Sequence, residues 1–221
     1  MRYRSMFDII GPAMIGPSSS HTAGANRIGQ LARQIYGKTP SQIGITFYGS
    51  FAETYQGHGT DRAVIAGLLG MKTDDERIRN ALEIAREQNI QFSFHRGSLE
   101  GIHPNSVRIE LGDAGESLNA VGISLGGGRI ELIELNDYNI RLSGDYPTLV
   151  LEHVDQVGVI RDLARLLAEH GINISHMEVD RKQRAGQAIA VIEMDQMIDE
   201  ELLRQIEETK PIFMVKQLEV V

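Results

Sequence analysis

The strongest constraint on the fold is the order of hydrophobic patterns in the last third of the chain. Residues 148–221 contain, in turn, a strand-like run, a helical pattern, two alternating strand patterns, a second helical pattern and a final strand-like run. Gly171 stands where the first helix should end, and Asp199 can cap the second. This order is typical of a ferredoxin-like βαββαβ sandwich, in which four antiparallel strands carry two helices on one face.

The preceding residues predict a separate mixed α/β domain. In the segment SGDYPT, Asp145 and Pro147 are turn and breaker residues, and the hydrophobic pattern restarts at Leu149. The boundary therefore falls between residues 1–146 and 148–221. Periodicity predicts helices over residues 22–36, 60–70 and 74–89. Strands are predicted at IGITFYG, QFSFHR, SVRIEL, AVGISL, RIELIEL and NIRLS, but the pattern leaves their order open.

Charge and hydropathy disfavour several classes of partner. Lys and Arg total 22 against 30 Asp and Glu, a net charge of −8, whereas nucleic acids and anionic membranes attract a basic surface. No apolar run reaches the length of about 18 residues that a membrane-spanning helix needs. The apolar stretch in MRYRSMFDIIGP is too short for a signal peptide. We therefore expect a cytoplasmic protein with no nucleic-acid and no membrane partner.

The sequence contains no cysteine. Disulfides, thiol nucleophiles and thiolate metal ligands are thereby excluded from this chain. If the protein takes part in iron–sulfur chemistry, the cluster must be held by another chain. We predict no metal site here.

Three histidines lie in loops rich in small residues, and the first of these loops leads into a predicted helix. Backbone N–H groups and hydroxyls at such a position suit an anion, either a carboxylate or a phosphate. The residues concerned are Ser18, Ser19, Ser20, His21 and Thr22.

The second histidine, His58, lies between Gly57 and Gly59, so backbone can approach a ligand closely on either side. Thr60 or Asp61 can cap the following helix, which would place His58 just before its N-terminus. An imidazole at that position is favoured in its neutral form, which can act as a base.

The third histidine, His103, precedes a proline that holds it extended, and Asn105 offers an amide two residues later. Each of the three segments also has an ordinary interpretation, as a capping loop, an exposed loop histidine or a turn. In the last third of the chain, Asp155 to Gly158 is most simply a strand-to-helix turn, with a ligand-binding loop as the alternative. The remaining histidines lie in strand or helix patterns, where packing or solvated roles are expected: His95, His153, His170 and His176.

Longer segments containing these motifs resemble a known family. IGPSSSHTAG, FYGSFAETYQGHGTD, IHPNS and GISLGGGRIEL follow one another over most of residues 1–145 and resemble the iron–sulfur L-serine dehydratases. VDQVGVIRDLARLLAEHGINI resembles an ACT domain, an amino-acid-sensing module. The resemblance implies an α/β (α+β) chain whose N-terminal domain is similar to the allosteric substrate-binding domain of 3-phosphoglycerate dehydrogenase. A cysteine-free chain with a terminal ACT domain is similar to the beta subunit of the split, two-subunit type.

The resemblance also implies a reaction, in which L-serine loses water and gives pyruvate and ammonia. A [4Fe-4S] cluster on a separate alpha subunit would act as a Lewis acid on the substrate hydroxyl. His58, His103 and Asn105 would lie at the chemistry, with either histidine transferring the Cα proton. The loop of residues 18–22 would bind the substrate, and Asp155 and Gly158 would form an ACT effector loop.

Other functions are weighed against this one. A pyridoxal-phosphate dehydratase needs a Schiff-base lysine near a phosphate site, and none of the five lysines lies in a motif loop. A metal hydrolase using the three motif histidines gains no support from their wide spacing. A stand-alone ACT-type amino-acid-binding regulatory protein stays open. Under either remaining reading, the small core and exposed sheet edge of an ACT domain predict self-association.

Overall fold

The computed structural model describes residues 13–98, 100–113, 115–209 and 211–221. The stretch MRYRSMFDIIGP, to which the signal-peptide prediction refers, lies outside the described residues, as does Lys210. Within the described ranges, no helix is both long and apolar enough to cross a membrane.

The chain divides into two compact units, one of the residues up to Asn136 together with Val221, the other of Asp137–Val220. Residues 137–146, assigned by sequence to the first domain, are thus counted with the second unit. The predicted boundary at residue 147 stays a prediction.

In the first unit, a π-helical turn at Ser19–Gly24 runs directly into helix α1, Ala25–Tyr36. The remaining helices here are α2 (Gly49–Thr54), α3 (Thr60–Leu68), a 3-10 turn (Glu76–Asn80) and α4 (Ala81–Glu87). The strands are β1 (Gln42–Tyr48), β2 (Gln91–Arg96), β3 (Asn105–Asp113), β4 (Glu116–Gly126) and β5 (Arg129–Leu135). Strand β6 (Tyr138–Leu142) follows in the chain and is counted with the second unit.

In the first unit, strands β1 to β5 are hydrogen-bonded neighbours in the order β2-β1-β3-β4-β5. Strand β1 pairs parallel with β2 and antiparallel with β3, with Ile45 opposite Ile109 in the latter register. Helix α1 lies against β4 at very short range, because a Cβ atom on Gly122 would approach the Ile28 side chain to 2.5 Å. The sheet therefore supports α1, and with it the π-helical turn that carries the first motif.

Helices α1 and α3 pack directly against each other. Asn26 is fully buried and donates from Nδ2 to the carbonyl oxygens of Ala63 (3.2 Å) and Met71 (3.1 Å). A Cβ atom on Gly29 would lie 2.5 Å from the carbonyl oxygen of Val64, so the backbones approach as closely as glycine permits. Thr22, just before α1, donates from Oγ1 to the carbonyl oxygen of His58, just before α3, at 3.2 Å. The N-terminal ends of the two helices, where the first two motifs lie, are therefore at the same side of the unit.

The second unit contains the predicted βαββαβ sandwich. Its elements are β7 (Thr148–Val154), α5 (Val159–Glu169), β8 (Ile174–Arg181), β9 (Gln187–Met194), α6 (Glu200–Glu207) and β10 (Ile212–Leu218). The sheet order is β10-β7-β9-β8, and its pairs are antiparallel. Leu151 and Ile192 of the sheet share one core with Leu163 of α5 and Leu202 of α6, so both helices cover the same face.

Two terminal signals in this unit are confirmed. Helix α5 ends before Gly171, which adopts a left-handed conformation with φ of 71°. The Asp199 side chain accepts a hydrogen bond from the Leu202 backbone N–H at 2.8 Å and caps α6.

Some predicted boundaries in the first unit were wrong. The segment predicted as one helix over 74–89 is a 3-10 turn followed by the short helix α4. The Asp75 carboxylate caps the turn by accepting from the Arg77 backbone N–H (2.9 Å). The helix predicted from residue 22 begins as a π-helical turn and becomes α-helical at Ala25. Helix α2 was not predicted.

Candidate functional site

The first motif is held by its own N-cap. Ser18 is extended, and its side-chain oxygen accepts from the His21 backbone N–H at 3.2 Å. Its carbonyl oxygen accepts from the Thr22 N–H at 2.8 Å. The backbone N–H groups of His21 and Thr22, which were predicted to face an incoming anion, are therefore used within the π-helical turn.

The His21 ring is held at both nitrogens by serine hydroxyls. Its Nδ1 lies 3.0 Å from Ser20 Oγ and 3.4 Å from Ser18 Oγ, and these two oxygens lie 3.2 Å apart. Its Nε2 lies 3.1 Å from the Oγ of Ser50, the second residue of α2. The aromatic ring of Phe51, which is fully buried, meets the His21 ring edge-on at 5.0 Å. Helix α2 thus fixes the orientation of His21.

The second motif meets the first through its histidine. The rings of His21 and His58 contact each other edge-on, with centroids 4.7 Å apart and an angle of 72° between their planes. Thr22 Oγ1 donates to the His58 carbonyl oxygen at 3.2 Å, which ties the backbones of the two motifs together. The Nδ1 atom of His58 is buried and has no hydrogen-bond partner in the part of the chain that the structure describes.

The predicted cap after His58 was wrong. Gly59 is the N-cap of α3 and adopts a left-handed conformation with φ of 67°, which glycine tolerates without strain. Thr60 is already helical, and its buried hydroxyl has no partner among the described residues. The Asp61 carboxylate accepts from the N–H of its neighbour Arg62 at 2.8 Å, and its burial raises its pKa. His58 nevertheless lies just before the helix, as predicted.

The third motif lies at the start of α2. The Asn105 backbone N–H donates to His103 Nδ1 at 3.2 Å, and the Phe51 N–H donates to the Pro104 carbonyl oxygen at 3.3 Å. Gly49, with φ of 54°, forms a single bridge to Asn105, and a Cβ atom there would lie 2.6 Å from the Pro104 carbonyl oxygen. Only glycine therefore allows the third motif and α2 to approach this closely.

Burial favours the neutral form of the His21 side chain. Loss of solvent lowers the pKa of His21 below its usual value of 6.5, and the neighbouring His58 lowers it further. A neutral imidazole carries one N–H and one free lone pair, so His21 can donate through one nitrogen and accept through the other.

The structure thus brings together most of the predicted residues of the first unit, and it adds two that were missed. Ser50 and Phe51 contact His21 and lie within the segment FYGSFAETYQGHGTD. The segment itself was singled out by sequence, but the helix that places these two residues beside His21 is only six residues long, too short to show a helical periodicity.

In the second unit, the predicted effector-loop residues have intramolecular roles. Asp155 accepts from Arg181 at 2.6 Å and from the Ala185 backbone N–H at 3.0 Å, and the Arg181 guanidinium lowers the pKa of Asp155. Gly158 is the left-handed N-cap of α5, with φ of 101°. Binding of an effector there stays a prediction.

Metal-ligating side chains do not cluster in the described ranges, where no three or more histidine, aspartate or glutamate residues are arranged to hold an ion. The three motif histidines accordingly form no ligand set of their own.

Comparison with known proteins assigns the family. Residues 5–134 match the model of the serine dehydratase beta chain family, and residues 148–210 match that of the ACT domain. The chain belongs to the serine dehydratase beta chain family. A protein named probable L-serine dehydratase, beta chain, from Bacillus subtilis is 49% identical, over 99% of both chains. The L-serine dehydratase beta chain of Peptoniphilus asaccharolyticus is 36% identical over 98% of both.

More distant relatives bear on the fold of this beta chain. The D-3-phosphoglycerate dehydrogenase of Bacillus subtilis is 29% identical over 89% of this chain, which corresponds to 37% of that enzyme. This likeness and the ACT match confirm the predicted fold class, a mixed α/β unit followed by an ACT domain.

Proposed function

We propose that this chain is the beta subunit of a two-subunit L-serine dehydratase, which removes water from L-serine to give pyruvate and ammonia. The contact between the His21 and His58 rings carries the proposal, because it joins two motifs distant in sequence into one polar site. Relatives that match the chain from end to end and are named L-serine dehydratase beta chains support the same reaction.

The hydrogen bonds favour different roles for the two catalytic candidates. His103 Nδ1 accepts from the Asn105 N–H, so a neutral His103 carries its proton on Nε2 and serves as a donor. His58 Nδ1 makes no such bond within the described residues, so no hydrogen bond at this atom determines which nitrogen of a neutral His58 carries the proton. We therefore assign removal of the Cα proton to His58 and donation of a hydrogen bond or proton to His103, with Asn105 holding the latter.

The carboxylate of the substrate is assigned to the first motif. The loop carries the hydroxyls of Ser18, Ser19 and Ser20, while Thr22 and His21 hold it in place through the His58 carbonyl oxygen and Ser50 Oγ, respectively. Hydroxyl donors on a rigid helical turn orient a carboxylate without the need to bury a second charge.

The [4Fe-4S] cluster is assigned to an alpha subunit, and the residues of this chain do not fit the ligation of such a group. The sequence has no cysteine, and cysteine thiolates hold nearly all clusters of this type. The proposal also includes a cytoplasmic location and self-association through residues 148–221.

The test is co-expression of this chain with a cysteine-bearing alpha partner and an assay of pyruvate formed from L-serine. We expect the H58A and H103A complexes to lose turnover by at least about a hundred-fold, the usual effect of removing a proton-transfer group. H176A, which alters an exposed histidine of the second unit, is the matched control.

Co-purification of the two subunits shows whether each variant still assembles. Near-normal activity in both H58A and H103A complexes would overturn the assigned roles. Amino-acid binding by the isolated chain, without turnover in any complex, would instead favour a regulatory protein. Brisk turnover by the isolated, metal-stripped chain would overturn the assignment of the cluster to another subunit.

A further inference from the structure

Ser50 connects all three motifs, although its residue type alone gives no reason to single it out. Its Oγ lies 3.1 Å from His21 Nε2, and His21 in turn contacts His58. Its neighbours in α2 hold the third motif, since Gly49 bridges Asn105 and the Phe51 N–H donates to Pro104. Ser50 therefore lies where the three motifs meet.

The hydroxyls around the His21 ring are divided unequally between its two nitrogens. Two hydroxyls, those of Ser20 and Ser18, face Nδ1, whereas Ser50 faces Nε2. Ser18 Oγ already accepts from the His21 backbone N–H, which leaves its own proton free to donate to Ser20 or to Nδ1. Because two hydroxyls can donate to Nδ1 and one lies at Nε2, the arrangement favours a neutral ring with its proton on Nε2, within hydrogen-bond distance of Ser50 Oγ.

We propose that Ser50 is a positioning residue of the serine dehydratase site, which accepts the Nε2–H of His21 and so fixes both the tautomer and the orientation of that ring against His58. The inference rests on the proposed function for its kinetic consequence, but the tautomer can be measured without any reaction. The hydroxyl of Ser50 acts through His21 and is given no contact with the substrate.

Removal of this hydroxyl leaves the ring anchored at one nitrogen only. The imidazole can then rotate about its Cβ–Cγ bond, and either nitrogen can hold the proton. The edge that His21 presents to His58, 4.7 Å away between centroids, is no longer fixed. Displacements of about 1 Å in a catalytic constellation cost on the order of a hundred-fold in rate.

The first measurement is spectroscopic and uses the isolated full-length chain with 15N-labelled histidine. We expect His21 to be predominantly the Nε2–H tautomer in the wild type and a mixture of both tautomers in S50A. Exposed His95 should give the same signals in both proteins. A wild-type His21 protonated on Nδ1, or an unchanged tautomer ratio in S50A, overturns the inference.

The second measurement is kcat/KM for L-serine with the complex of the two subunits. S50A should lower it by about ten- to a hundred-fold. The control S41A removes the same hydroxyl at the other end of β1, where Ser41 donates to Asp113 at 2.9 Å, and should retain wild-type kinetics. Equal kcat/KM in S50A and wild type overturns the positioning role. An inactive wild-type complex overturns the proposed function instead, and the tautomer measurement then decides the inference alone.

Discussion

The charge of a single side chain, His21, depends on its burial and on His58, a neighbour that is distant in sequence. Burial lowers its pKa first and the His58 ring lowers it second. An NMR titration should place the midpoint of His21 below 6.5. In H58Q the midpoint of His21 should rise but stay below 6.5, because burial remains. A midpoint at or above 6.5 in the wild type would contradict the account.

The same shift has a consequence for stability. In the unfolded chain His21 binds a proton as the pH falls through 6.5, whereas the folded protein binds that proton only at lower pH. The contribution of neutral His21 to the free energy of unfolding is therefore fully present above pH 6.5. It is lost as the pH falls from 6.5 toward the folded-state pKa.

At the level of single residues, the sequence predicts chemistry better than geometry. His21 and His58 are conspicuous because their loops are rich in glycine and serine, and the structure brings them into contact. Ser50 is not conspicuous, because its role depends on a six-residue helix that begins at a glycine with positive φ. The predicted cap at Thr60 or Asp61 was wrong because Gly59, in a left-handed conformation, is the N-cap and the helix already begins at Thr60.

At the level of elements, the close contact of α1 with α3 keeps the two histidines together. The π-helical turn with His21 precedes α1 and His58 precedes α3, so the contact between the helices holds the segments that carry the two rings. A Cβ atom on Gly67 would lie 2.1 Å from the Asn26 carbonyl oxygen, a contact that only backbone movement can relieve. We expect G67A to lower the free energy of unfolding by about 1–3 kcal/mol through overpacking and to weaken turnover, both measured against the wild type.

G112A is the matched control, since a Cβ atom on Gly112 would approach its neighbours no closer than 3.7 Å. Urea unfolding should place this variant within about 0.5 kcal/mol of the wild type. Equal stability of G67A and G112A would show that α1 and α3 can move apart to accept the added methyl group without a measurable loss of stability.

The elements differ in how far sequence could predict them. In the second unit, the alternation of strand and helix patterns and the signals at Gly171 and Asp199 are local, and both are confirmed. In the first unit, individual strands were predicted but their order was not, because pairing joins distant residues. The parallel pair of β1 and β2, for example, places Ile45 beside Phe94. Hydrophobic periodicity reports which face of a strand is buried but not which strand lies beside it.

At the level of the whole molecule, the remaining prediction is self-association through the ACT domain. Strands β8 and β10 are the two edges of the four-stranded sheet, and an edge strand offers unpaired N–H and C=O groups to a second copy. Val179 on β8 and Phe213 on β10 are 44% and 50% exposed, so each edge presents an apolar side chain that a second copy could cover. We expect the full-length chain to form dimers at micromolar concentration, measured by sedimentation velocity.

Charged substitutions at the two edges identify the surface that pairs. Lysine on an edge strand opposes pairing, and in a symmetric dimer each substitution places like charges close together. V179K and F213K change side chains of similar exposure on opposite edges, so each is the control for the other. We expect the dissociation constant to rise at least about ten-fold, equivalent to about 1.4 kcal/mol, in one variant and to stay near the wild-type value in the other. A monomeric wild-type chain, or unchanged dimers in both variants, would show that the sheet edges do not mediate association.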